Sequence, residues 1–192
     1  MAVVSISRQY GAGGKTLALR LARKLGYQFI DRGILAKVAQ EANVSVDWVE
    51  AVEKEPGSLM RLVSRVVSSD FIERHVGPES ADFDDQKYHL YLKKVLTEIA
   101  DEGDAVILGR GSQFILQDHP KTVRILLVGD MEARIGFLME NYDLSRSSAQ
   151  DMIRREEKRR TAFLKNLGAG DSDAPDLYHL AINTSLVNLD WA

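Results

Sequence analysis

Six consecutive residues, Gly11-Ala12-Gly13-Gly14-Lys15-Thr16, bring together the parts of an anion-binding turn. Glycines allow backbone N–H groups to approach a phosphate closely, and the start of a helix adds unpaired donors and partial positive charge. Lys15 contributes a full charge and Thr16 a hydroxyl suited to the shell of a Mg²⁺ ion. Two registers of the phosphate-loop pattern G-x-x-x-x-G-K-[ST] fit. One ends on Gly14-Lys15-Thr16 but has Gln9 at its first glycine position. The other is anchored on Gly11-Ala12-Gly13 and has Gly14 where the lysine belongs, with Lys15 one place along. The competing reading is a glycine-rich turn with a solvent lysine.

Two further groups could handle phosphate. Arg110 stands between Gly109 and Gly111 in "ILGRGSQFI", where a guanidinium just past a strand can grip a phosphate with two parallel hydrogen bonds. "RREEKRR", from Arg154 to Arg160, holds five basic and two acidic residues. Such a run is commonly a solvated helix face. Here the apolar stripe of Ala149, Met152, Ile153, Phe163, Leu164 and Leu167 continues, at helical spacing, onto Glu156, Glu157 and Arg160. A helix leaving the core to cover a polyanion would change character in this way. Asp31, in "FIDRGIL", is either a site carboxylate or the N-cap of a helix starting near Gly33. Asp130, after another strand and before a helix, reads as an N-cap, with a metal-holding aspartate as the alternative.

The elements that must position these residues follow from periodicity. Apolar runs predict strands at residues 2–7, 27–30, 105–108, 123–128 and 180–183. Helices are expected at 16–25, 33–42, 45–54, 58–67, 86–102, 131–141 and 147–167, with Ser45 as one N-cap and Gly26 closing the first helix. An irregular loop is expected over 68–85. Strands alternating with helices indicate an α/β domain with a parallel sheet, in which ligands bind beyond the carboxyl ends of the strands. The Gly11–Thr16 turn, Asp31 and Arg110 all fall at such ends. A single core domain over 1–32 and 103–192, with a helical insertion at about 33–102, is the expected organisation.

The chain has 192 residues, a net charge of −3 and no cysteine. This excludes disulfide scaffolds, thiolate metal sites and cysteine nucleophiles, and argues against nucleic acid as a partner. No leader pattern or membrane-length apolar run is visible, so a cytoplasmic protein without a membrane partner is expected.

In order and spacing, "SISRQYGAGGKT", "FIDRGIL", "ILGRGSQFIL", "EEKRR" and "INTS" resemble the cytidylate kinase-like family of phosphate-loop proteins, over almost the whole chain. The resemblance implies a P-loop NTPase-type three-layer sandwich with about five parallel strands, a helical insertion for a nucleoside monophosphate, and a mobile lid near residues 142–160. It implies ATP as donor and Mg²⁺ as cofactor, with Gly11, Ala12, Gly13, Gly14, Lys15 and Thr16 around the donor phosphates. Asp31, Arg32 and Gly33 would lie near the acceptor. Gly109 and Arg110 would grip its phosphate, and Glu157 and Arg160 would stand near the lid hinge. Arg154, Arg155 and Arg159 would be lid cations. Lys15, Arg110, Arg155 and Arg160 are thus the expected catalytic set, for phosphoryl transfer to an acceptor such as CMP or dCMP. A different small acceptor, or a nucleotide-binding regulator, is the alternative.

Overall fold

The structure is a computed structural model that describes residues 2–54, 85–189 and 192. The expected helix over 58–67, and the expected loop over 68–85 apart from Asp85, lie outside the described residues.

Strand β1 (Val3–Arg8) is buried along all but its last residue, as its Val- and Ile-rich composition requires of a central parallel strand. It is followed by α1 (Gly14–Leu25), β2 (Gln28–Ile30), α2 (Gly33–Ala42), α3 (Val46–Lys54) and α4 (Asp85–Glu102). The second half comprises β3 (Ala105–Leu108), the short α5 (Ser112–Ile115), β4 (Thr122–Val128), α6 (Met131–Tyr142), α7 (Arg146–Asn166), a 3₁₀ turn (Pro175–Leu177) and β5 (Leu180–Asn183). The expected caps are present. Trp48 N donates to Ser45 Oγ, Asp130 accepts from Ala133 N at 2.8 Å, and Gly26 ends α1 in the left-handed conformation. Asp31 caps nothing, because Arg32 occupies the N-cap position of α2 and no side chain caps that helix.

The five strands form one parallel sheet in the order β2-β3-β1-β4-β5. β1 is therefore central, paired Val3 to Ala105 on one side and Val3 to Thr122 on the other. The chain leaves β1 for the β2 edge and leaves β4 for the β5 edge. Right-handed crossovers then place α1 on one face and the helices joining β4 to β5 on the other, which makes three layers. Connections that part in this way open a crevice at the carboxyl end of the central strand. Leu17, Ala18 and Ala22 of α1 bury themselves with Val4, Ile6, Val106, Leu108 and Leu127 of the sheet. Ile135 and Leu138 of α6 pack on Ala149 and Ile153 of α7.

The chain divides into two compact units, Met1–Asp31 with Ile99–Ala192, and Arg32–Glu98. In the second unit Ile34, Leu35, Val38, Ala39, Val49, Leu92, Val95 and Leu96 are buried, and Lys94 pairs with Glu41. Among the described residues no helix is long and apolar enough to cross a membrane.

Candidate functional site

Three loops, which follow the neighbouring strands β1, β3 and β4, lie at the carboxyl end of the sheet. Side chains and backbone tie them together. Gln9 Oε1 accepts from Gly129 N at 3.1 Å, and Gly109 N donates to Ile6 O at 2.9 Å.

The turn after β1 becomes α1 at Gly13, the N-cap, with φ 75° and ψ 13°. A residue with a Cβ pays steric energy in that conformation, so the glycine is required by geometry. No side chain caps the helix and no acidic residue occupies its first turn. The first N–H groups of α1 have no carbonyl within the helix to receive them. With the partial positive charge of the helix end, they have the polarity to hold an anion. Lys15 is exposed and Thr16 half-buried on this turn.

The turn after β3 is more strained. Gly109, Arg110 and Gly111 have φ of 75°, 59° and 65°, and an arginine in that region is uncommon and strained. A buried hydrogen-bond chain holds it. Ser112 Oγ donates to Gly109 O at 2.8 Å and meets Ser5 Oγ at 2.7 Å, with Ser5 and Ser112 fully enclosed. Ser112→Ala removes both links and leaves Ser5 Oγ buried without this partner. It should cost about 1–3 kcal/mol, measured by urea denaturation. Adding Ser5→Ala should cost less than a second independent loss, because the two hydroxyls act as one unit.

The charged turn of α7 lies against the loop after β1. Glu157 Oε1 accepts from Tyr10 N at 2.6 Å and from Arg134 Nη1 at 3.1 Å, and Arg134 also donates to Tyr10 O at 3.3 Å. Arg160 pairs with Glu157 at 3.5 Å and with Asp173 at 2.5 Å, and reaches Ser7 Oγ at 3.3 Å. Asp173 receives a second hydrogen bond from Gln9 Nε2 at 3.2 Å. The apolar stripe thus turns charged because this part of the helix packs on polar backbone. The exposed arginines differ: Arg154 faces Asp151 at 3.8 Å, while Arg155 and Arg159 face Glu156 at 3.5 and 3.2 Å, all on α7 itself.

Burial drives the Asp173 carboxyl upward, but the hydrogen bond and charge of Arg160, then Gln9 and Ser172, outweigh it and hold the group below its usual 3.8. A carboxylate with a depressed folded value stabilises the fold above its unfolded value, and that stability fades as pH falls through the folded one. Asp173→Asn should therefore cost about 1–2 kcal/mol at pH 7. The gap in melting temperature between the two proteins should narrow as pH drops below 3.8.

Of the residues singled out by sequence, the first unit brings together the Gly11–Thr16 turn, Asp31, Gly109, Arg110, Glu157 and Arg160. Arg32 and Gly33 belong to the second unit, where they begin α2. Sequence reasoning missed Arg8, Arg134 and Asp173. Arg134 lies on a helix face and Asp173 in an aspartate-rich loop, and neither has a local signal. Arg8 had one, because it directly follows the apolar run of β1.

The profile of the cytidylate kinase-like family matches residues 3–186. A cytidylate kinase from Pyrobaculum aerophilum is 25% identical over 199 aligned positions, covering all of this chain and 92% of that protein. Among solved structures, an uncharacterized protein from Eubacterium ventriosum superposes with a TM-score of 0.67 at 18% identity, over 99% of this chain and 92% of that one. A shikimate kinase from Bacteroides thetaiotaomicron gives a TM-score of 0.46 at 16% identity, over 96% and 86%.

Proposed function

The chain belongs to the cytidylate kinase-like family, whose profile spans nearly all of it, and from that membership we propose that it transfers the γ-phosphoryl group of ATP to a nucleoside monophosphate, CMP or dCMP. The observation that carries this reading is the pair of turns at the carboxyl ends of the adjacent strands β1 and β3: an uncapped helix N-terminus and a strained Gly-Arg-Gly turn.

The chemistry asks for in-line positioning, charge neutralisation and exclusion of water. An acceptor phosphate oxygen attacks the γ-phosphorus, its new P–O bond forms as the bond to the bridging oxygen of ADP breaks, and ADP leaves. In this reading the N–H groups of Gly11 to Thr16 hold the donor phosphates, with Lys15 as an outer cation. Gly109 and Arg110 hold the acceptor phosphate. Asp31 orients the acceptor. Glu157 and Arg160 brace the floor of the donor loop, and Arg154, Arg155 and Arg159 are available to spread negative charge from the exposed side of α7.

The donor set suits a magnesium nucleotide. No cluster of three acidic or histidine side chains that could cage a metal exists among the described residues, and Mg²⁺ ordinarily takes phosphate oxygens, waters and one or two protein oxygens. Thr16 is the residue that would hold it, and the ion would neutralise phosphate charge there. The reading places the protein in the cytoplasm, where ATP is supplied.

An acceptor screen tests the proposal. ADP release is measured with ATP and Mg²⁺ against CMP, dCMP, UMP, AMP and non-nucleotide alcohols. Turnover with CMP or dCMP well above the rest is the expected result. Turnover only with an alcohol would replace the acceptor, and ATP binding without acceptor-dependent turnover would end the kinase reading.

A further inference from the structure

The N-cap at Gly13 decides which register of the phosphate-loop pattern the chain adopts. The last glycine of that pattern sits at the helix entrance with the lysine directly after it. Gly13 holds that glycine's place, so Gly14 stands in the lysine position, and the first glycine position, five residues before Gly13, is Arg8. The two end positions of the pattern have exchanged residue types: cation first, glycine seventh.

The side chain of Arg8 completes the exchange in space. A Cβ placed on Gly14 would lie 2.7 Å from Arg8 Cγ, 3.0 Å from its Cβ and 3.3 Å from its Cδ. The arginine stem fills the volume into which a residue at position 14 would project. The guanidinium then runs on to Gly109, where an added Cβ would meet Nη1 at 2.0 Å. Both glycines are small because Arg8 lies over them. Lys15, one residue further along α1, leaves the helix about 100° away from position 14 and is exposed.

Arg8 is also left ready for an anion. Among the described residues its guanidinium makes no hydrogen bond and no ion pair within 4 Å, while Asp31, Glu157, Tyr10 and Arg160 act on it from farther away. Desolvation lowers its pKa, with Asp31 opposing, so a phosphate would recover lost solvation.

We propose that Arg8 is the inner phosphate-binding cation of this site. It reaches from the strand end into the position that a lysine on the helix occupies in the standard loop, and it contacts the transferred phosphoryl group between the donor turn and Gly109. This rests on the kinase reading for the identity of the phosphate, but not for the existence of the anion site.

Four variants test it: Arg8→Ala, Arg8→Gly, Lys15→Ala and the double variant Arg8→Gly/Gly14→Lys, which returns the cation to the helix. With the best acceptor, Arg8→Ala should lower kcat by 10²-fold or more, and Lys15→Ala by only severalfold. The double variant should recover at least tenfold over Arg8→Gly, a rescue that a purely structural role for Arg8 would not allow. Thermal unfolding of each variant identifies any that fail to fold, and the relocated cation keeps the test decisive if Arg8→Ala is one of them. Calorimetry with inorganic tripolyphosphate separates this inference from the kinase reading. If no acceptor is turned over, the kinase reading falls, yet Arg8→Ala should still weaken tripolyphosphate binding at least tenfold more than Lys15→Ala does. A larger effect from Lys15→Ala in both assays, or no recovery in a folded double variant, overturns the assignment.

Discussion

Arg110→Ala should lower kcat by 10²-fold or more while ATP affinity stays within about threefold. A well-placed cation acting on developing charge is worth that much. The structure supports the expectation through strain. Three successive left-handed residues, the middle one an arginine, cost on the order of 1–2 kcal/mol for the non-glycine alone. The fold holds this turn with the Gly109–Ile6 hydrogen bond and the enclosed Ser112 hydroxyl. Alanine is no worse than arginine in that backbone conformation, so the variant isolates the guanidinium. Steady-state kinetics with varied acceptor, beside ATP titration by calorimetry, checks it. Loss of ATP binding on Arg110→Ala would move Arg110 to the donor side and overturn the assignment of the two phosphate positions.

Glu157→Ala should be the most destabilising single change in the first unit's charged network. Arg134 is 10% exposed and Glu157 26%. Removing the carboxylate leaves the Arg134 guanidinium with Tyr10 O but no acidic partner among the described residues, takes the acceptor from the Tyr10 N–H, and removes one of two acidic partners from Arg160. Breaking one side of an enclosed ion pair costs about 3–5 kcal/mol. At roughly 2–4 °C per kcal/mol for a chain of this size, the melting temperature should fall by at least about 6 °C. Glu157→Gln retains an acceptor for Tyr10 N and should recover part of the loss. A shift below about 2 °C for Glu157→Ala would show that α7 does not brace the loop, and that this turn is a surface feature.

The periodic elements were legible because their causes are local. All five strands lie within a residue of where their apolar runs place them, and the capping residues Ser45, Gly26 and Asp130 act through neighbours at most four residues away. Helix α5 was not expected, since Ser112–Ile115 is too short to show a period and is fixed by burial of Ser112 on Ser5. Of the candidate site, the glycine turn and the Gly-Arg element could be read as short strings. The network through Arg134, Glu157, Arg160 and Asp173 could not, because its members come from two helices and a loop.

The sequence by itself determined that a strand, a glycine turn and a helix follow one another, and that a second Gly-Arg turn follows another strand. These are properties of backbone freedom and apolar spacing within a dozen residues. It left two registers of the phosphate loop equally incomplete. Only the structure decided between them, by starting the helix after Gly13, and β3 lies beside β1 so that the Arg8 side chain crosses Gly14 and ends at Gly109, about a hundred residues away. Which side chain fills a given volume depends on what the sheet brings alongside, and that is not written in any one segment.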